Sequence, residues 1–169
     1  MEMVIFIVFF ALLLSAAYAN LRGAPWAPTN KKSVERFLHL AEIRPGQKMY
    51  DLGCGDGRLV FASAKSGAQA KGFELSLFMY LLANIFRLFQ KDRTKIKISC
   101  QDLWHSNLND ADLVYFFLMP KTYPKIKKKL ENELKIGAKV IAYVWPIDGW
   151  EPVKIDILNG HPNLYLYQR

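Results

Sequence analysis

The chain has 169 residues, 51% of them hydrophobic and 14% aromatic, which suits one domain with a single well-buried core and excludes intrinsic disorder. Lys and Arg outnumber Asp and Glu by 23 to 15, and the resulting net charge of +8 calls for an anionic partner or surface. The two cysteines, Cys54 and Cys100, have no CxxC or His-rich neighbourhood; they read as free thiols in a reducing compartment, with no metal site expected.

Val4 to Ala19 is an uncharged, largely apolar run of 16 residues, at the short end of what crosses a bilayer. A secretory signal needs a basic stretch before the run and a small-x-small site after it. Ala17-Tyr18-Ala19 supplies the second, but only Glu2 carries charge ahead of the run. The cations follow at Arg22, Lys31 and Lys32, which by the positive-inside rule places the rest of the chain on the cytosolic side. Residues 1–20 are therefore expected to form an uncleaved, single-pass transmembrane helix. A cleaved signal and a buried or interfacial helix are the alternatives. Residues 21–32 read as a stiff Pro-rich connector, Gly23-Ala-Pro-Trp-Ala-Pro28, leading to a cap at Thr29 or Asn30. A helix follows with Val34, Phe37, Leu38 and Ala41 on one face, ended by Pro45-Gly46.

The next segment, Met49-Tyr-Asp-Leu-Gly-Cys-Gly-Asp-Gly-Arg58, is an apolar strand running into Asp51, then three alternating glycines, then a helix. Such a junction brings bare backbone N–H groups close to a ligand. Leu59 to Ser66 reads as helix. Ala70 to Phe73 reads as a second strand, closed by Glu74, which lies 17 residues beyond Gly57 and suits a ribose diol. Leu77 to Gln90 is a helix with Met79, Leu82, Ala83 and Phe86 at helical spacing. Strands follow at Ile96 to Cys100, Asp112 to Phe117 and Ala138 to Val144, the last two separated by a basic amphipathic helix over Tyr123 to Leu134. Val153 to Leu158 and Leu164 to Tyr167 flank Asn159-Gly160, a hairpin signal.

Five βα-type strands and a terminal hairpin make seven. The expected fold is α/β: a seven-stranded, mostly parallel, doubly wound (Rossmann-like) sheet ending in an antiparallel hairpin, with residues 33–169 as one domain. In such sheets ligands sit beyond the carboxyl ends of the strands. The spacing Gly53-x-Gly55-x-Gly57 departs from the dinucleotide pattern Gly-x-Gly-x-x-Gly, and Asp51 would repel a pyrophosphate. It suits a cationic ligand with an amino-acid tail, S-adenosylmethionine (SAM). On this reading Asp51 faces the methionine ammonium, Gly53, Cys54, Gly55 and Gly57 line the loop, and Glu74 holds the ribose. Asp102 and Leu103 approach the adenine, though a turn cap explains Asp102 as well. A secreted enzyme would lack this cytosolic cofactor, which favours the anchor over the signal.

The glycine stretch resembles motif I of the class I SAM-dependent methyltransferases. With Pro25-Trp-Ala-Pro-Thr29, Gly72-Phe-Glu-Leu75, Asp102-Leu-Trp104, Lys128-Lys-Leu-Glu131 and Gly137-Ala-Lys-Val-Ile141, the chain resembles one family over nearly its whole length. That family comprises the ATP synthase c-subunit and adenine nucleotide translocase lysine N-methyltransferases and their prokaryotic relatives. The resemblance implies methylation of lysine in membrane-embedded proteins, a closing role for the pre-motif that makes Thr29 a cofactor contact, and the mitochondrial inner membrane if the source is eukaryotic.

Methyl transfer from a sulfonium needs mainly alignment of donor and acceptor. A lysine acceptor must be neutral, and an apolar, aromatic-lined channel would lower its pKa. Tyr115, Phe116, Phe117, Met119, Trp145 and Trp150 are candidate walls, although most such aromatics are core. No Asn-Pro-Pro-Tyr stands at the fourth strand, which disfavours DNA bases and glutamine amides, and no general base is singled out. The basic helix with Lys121, Lys125, Lys127, Lys128 and Lys129, and the cluster Arg87, Lys91, Arg93, Lys95 and Lys97, could face anionic lipid. Nucleic acid is the weaker reading, since no RNA-binding module is visible. The alternatives to a protein-lysine enzyme are a small-molecule or lipid methyltransferase, and a SAM-binding assembly factor without turnover.

Overall fold

A computed structural model describes residues 1–22 and 27–169 of the chain; Pro25 and Trp26 of the expected pre-motif lie outside the described residues. Apolar side chains alternate along the central strands and supply both layers of the core. In β1 (Lys48–Leu52), Met49 joins one cluster while Tyr50 and Leu52 join the other. In β4 (Leu113–Phe116), Leu113 and Tyr115 split from Val114 and Phe116 in the same way. β5 (Lys139–Tyr143) repeats the pattern with Ile141 and Tyr143 against Val140 and Ala142.

These strands join β2 (Gln69–Glu74), β3 (Ile96–Cys100), β6 (Lys154–Asp156) and β7 (Leu164–Gln168) in one seven-stranded sheet of order β3-β2-β1-β4-β5-β7-β6. β1 to β5 pair in parallel, and β7 is antiparallel to both β5 and β6. The expected parallel core with a terminal antiparallel hairpin is the observed arrangement. The strand order reverses beside β1, and β1 and β2 are in register with Asp51 opposite Gly72.

Helices α2 (Lys31–Ala41), α3 (Arg58–Lys65) and α4 (Leu77–Leu88) contribute to the cluster on the Met49 face, through Phe37, Leu40, Val60 and Ala83 among others. Asn30 caps α2, its side chain accepting from the Ser33 N–H at 2.9 Å. The opposite face is covered by α5 (Tyr123–Glu133), through Ile126 and Leu130, and by the β3–β4 connection, through Leu103, Leu108 and Ala111. That connection holds one 3-10 turn, Leu103–His105, where a doubly wound sheet commonly has a helix.

The expected transmembrane anchor is not supported. Glu2–Arg22 forms α1, but among the described residues no helix is long and apolar enough to cross a membrane. Instead α1 packs along α4, and the Leu77 N–H donates to Ser15 Oγ at 2.7 Å.

The crossing of the glycine loop over β2 leaves no room for a side chain at residue 72. A Cβ there would stand 2.5 Å from Cys54 Sγ and 2.7 Å from Cys54 Cβ, both buried. Gly72→Ala is expected to lower stability by about 1–3 kcal/mol through overpacking, read as a lower urea midpoint with an unchanged slope.

Candidate active site

The carboxyl end of β1 delivers Asp51 and then the loop 53–57 to the strand-order switch, next to Glu74 at the end of β2. The loop does not present the bare donors its glycines promise. The N–H groups of Gly53 and Cys54 both donate to Phe73 O, at 2.9 and 3.0 Å, and the Gly57 N–H donates to Cys54 O at 2.9 Å. The Gly55 N–H donates to Glu74 Oε2 at 2.8 Å. With these donors already engaged, the loop is a poor cradle for phosphate.

What it offers instead is buried negative charge. Asp51 is 2% exposed, and its Oδ1 has no hydrogen-bond partner among the described residues. Burial, with Glu74 and Asp56 adding like charge, pushes the Asp51 carboxyl well above the usual carboxylate range. Glu74 is also buried and raised by desolvation, partly offset by backbone N–H groups, including Ser76 at 2.8 Å on Oε1. Backbone donors leave the Glu74 carboxylate a lone pair for a hydroxyl donor. A ligand bearing one cation and neighbouring hydroxyls would satisfy both groups, and SAM, with an α-ammonium and a ribose diol, fits that demand.

The Cys54 side chain turns into the core against Gly72 and Val60, and burial raises its thiol, so only its backbone is left for a ligand. Asp102 caps the Leu103–His105 turn, accepting from the Trp104 N–H at 3.1 Å, and Leu103 is buried. Both nonetheless follow β3 directly, and the Gln101 N–H donates to Glu74 O at 3.0 Å, which ties that strand end to the same corner. Thr29 is buried, with its Oγ1 3.3 Å from the Tyr115 hydroxyl.

Arg58, at the start of α3, joins the site as well. It forks onto Asp56 (Nε to Oδ1 2.9 Å, Nη2 to Oδ2 2.5 Å) and donates from Nη1 to Thr29 O at 2.7 Å, clasping the pre-motif to the glycine loop. A cation in the first turn of a helix opposes the helix dipole, and that was the available signal. Beside this clasp, Asp56, Arg58, Phe61, Phe86, Phe89 and Gln90 line a cavity of about 190 Å³ that excludes both Asp51 and Glu74.

Of the expected aromatic walls, Tyr115 and Phe116 are core, and Trp150 packs on Tyr167 while donating to Glu131 Oε1 at 3.1 Å. Phe117 and Trp145, half-buried beyond β4 and β5, face one another with centroids 6.0 Å apart. Phe117 also meets Tyr143 edge-on at 4.9 Å, and the Tyr143 hydroxyl is 3.0 Å from Ser33 Oγ. Between Tyr143 and Trp145, Val144 adopts φ 77°, a strained conformation for a β-branched residue, with its N–H held by Asn163 O at 2.9 Å.

A sheet of this order, with Asp51 and Glu74 at the carboxyl ends of its first two strands, is the arrangement of the class I SAM-dependent methyltransferase fold. The comparisons agree. The sequence profile of the ANTKMT methyltransferase domain matches residues 51–154. A protein-lysine N-methyltransferase of Saccharolobus islandicus is 33% identical over 150 residues, 85% of this chain and 92% of that relative. The adenine nucleotide translocase lysine N-methyltransferase of Mus musculus is 33% identical over 161 residues, 93% of this chain and 69% of that one. Among solved structures, an RNA methyltransferase from Salinibacter ruber in complex with S-adenosyl-L-homocysteine superposes with TM-score 0.80 at 27% identity, covering 84% of this chain and 93% of that one. The chain belongs to the ANTKMT methyltransferase domain family and is a SAM-dependent methyltransferase.

Proposed function

We propose that the chain transfers methyl groups to lysine side chains of a protein. Asp51, whose buried Oδ1 has no partner among the described residues, carries the cofactor half of this reading, and the lysine methyltransferases among its relatives support the acceptor half. In this reading Asp51 pairs with the ammonium of SAM and Glu74 accepts from the ribose hydroxyls while still bracing Gly55. Asp102 and Leu103 border the adenine, the backbone of Gly53, Cys54, Gly55 and Gly57 forms the floor, and Thr29 closes the site from the pre-motif.

The bound cofactor supplies an electrophilic methyl on a sulfonium, open to in-line displacement by a neutral amine. Phe117 and Trp145 are the proposed walls of the acceptor channel, with the buried Tyr143 packed edge-on against Phe117. Their apolar faces desolvate the lysine and shift it toward the neutral form, and their ring faces hold the cationic product. The hydroxyl contact between Tyr143 and Ser33, and the one between Tyr115 and Thr29, fix α2 and the pre-motif over the ends of β4 and β5. The acceptor ammonium gives its proton to solvent before attack, so the product is the methylated ammonium and the departing cofactor is a neutral thioether.

The Salinibacter ruber neighbour, an RNA methyltransferase by name, makes RNA the second reading. Incubation with tritiated SAM and a cell lysate, divided into protein, lipid and nucleic-acid fractions, decides. Label is expected in protein and, after acid hydrolysis, on methylated lysine. Label confined to the RNA or lipid fraction would refute the acceptor, and no label at all would favour a cofactor-binding factor without turnover.

A further inference from the structure

The solvent side of α4 is built the wrong way round for a surface helix in water. Met79 and Ala83 face the core, while Leu77, Phe78, Leu81, Ile85, Leu88 and Phe89 fall within about a third of a turn on the outer face. They remain 40% to 80% exposed although α1 already packs on the same helix. α1 extends the surface with exposed Val4, Ile5, Phe6, Ile7 and Phe10. Contiguous apolar surface of this kind marks an interaction site.

Charge selects the occupant. From Leu75 to Gln101 the chain has five cations, Arg87, Lys91, Arg93, Lys95 and Lys97, against the single anion Asp92. Asp92 is taken by Lys95 at 2.9 Å, and Lys91 and Arg93, exposed at the end of α4, have no ion pair among the described residues. A second copy meeting this face about a two-fold axis would bring like charges together on a chain of net charge +8. An anionic bilayer accepts both halves: acyl chains receive the apolar arc, and headgroups receive Lys91 and Arg93.

We infer that the outer face of α4, together with α1, rests against an anionic membrane. The inference is independent of the acceptor. It also assigns the membrane to one side of the sheet. The lysines of α5 stand over the opposite face, where Lys125 Nζ lies 4.1 Å over the Trp104 ring and Lys129 is buried against Ser106 O and Glu133.

The test is sedimentation of the full chain with vesicles of phosphatidylcholine alone or with 30% phosphatidylglycerol added, with SAM binding by calorimetry as the fold control. Binding is expected to the anionic vesicles and to weaken with salt. Lys91→Gln with Arg93→Gln should cost roughly fivefold per cation, about 25-fold together. Leu81→Glu with Ile85→Glu should abolish it, while Lys125→Gln with Lys128→Gln should change little. SAM affinity should be unchanged in all of them. Equal binding to neutral vesicles, loss centred on the α5 pair, or a concentration-dependent dimer that Leu81→Glu with Ile85→Glu dissolves in the absence of vesicle binding would overturn the inference.

Discussion

Asp51→Asn is expected to weaken SAM binding by about 100-fold or more in calorimetry and at the same time to raise the melting temperature of the ligand-free protein. The first effect follows from removing one member of a desolvated charge pair, which costs about 2–5 kcal/mol of binding. The second follows from the burial of Asp51: its Oδ1 has no hydrogen-bond partner among the described residues and stands beside two further carboxylates. An amide is isosteric and uncharged, so the free protein should gain about 1–2 kcal/mol at neutral pH. A stabilised but non-binding variant would be the signature of a residue kept for its ligand. Loss of stability with retained binding would remove Asp51 from the cofactor site.

The pH dependence has a definite sign. An acid whose folded-state pKa is raised above its unfolded-state value, as burial raises that of Asp51, is destabilising when ionised. That cost is absent below the unfolded-state value, grows as pH rises, and is complete above the folded-state value. The advantage of Asp51→Asn should thus be full on the alkaline side and fade as pH falls toward 4. SAM affinity of the wild type should move the opposite way, weakening with acidification, because a protonated Asp51 offers no charge to an ammonium. Thermal scans and titrations at matched pH values measure both.

The sheet was legible because its strands carry their burial in the sequence. Ile96–Cys100 falls at the expected positions, and the ends of β1 and β2 put Asp51 and Glu74 on the same corner as anticipated. Failures came where a side chain could serve either of two environments. α4 is apolar on nearly every side, so the helical spacing of Met79, Leu82, Ala83 and Phe86 does not by itself say which face is inner. Met79 and Ala83 are buried, while Phe86 is 41% exposed. α1 has the same ambiguity, and a hydrophobic run alone does not distinguish a membrane from a neighbouring helix. Cys54 could not be oriented without knowing that Gly72 passes beneath it. The basic helix held a second such case, since Lys129 reads as surface and is buried against Glu133.

Contacts distant along the chain were beyond any local pattern, and Arg36 shows what they carry. It is 7% exposed and joins α2 to the terminal hairpin across 120 positions. Nε and Nη2 donate to Asp156 Oδ1 at 2.8 and 2.6 Å, Nη2 also to Asp156 O at 2.8 Å, and Nη1 to Pro162 O at 2.9 Å. Arg36→Ala should lower unfolding stability by about 3 kcal/mol, because Asp156 and two carbonyls lose their donors together. Asp156 is 25% exposed, which keeps the expected cost at the lower end for a buried pair. Arg36→Lys should recover little, since an ammonium cannot reproduce the planar fork. Removing the solvent-exposed pair Lys32–Glu35 on the same helix should change stability by less than about 0.5 kcal/mol. Urea titration of the four proteins separates these outcomes. Against a total of about 5–15 kcal/mol for a domain of this kind, the Arg36 loss is large. It should also reach the active site, because α2 carries the Ser33 that holds Tyr143. Arg36→Ala protein that remains folded should therefore lose acceptor turnover before it loses SAM affinity. Equal stability of the Arg36→Ala variant and the wild type would mean that the clasp is ornamental and that the hairpin is held by β5–β7 pairing alone.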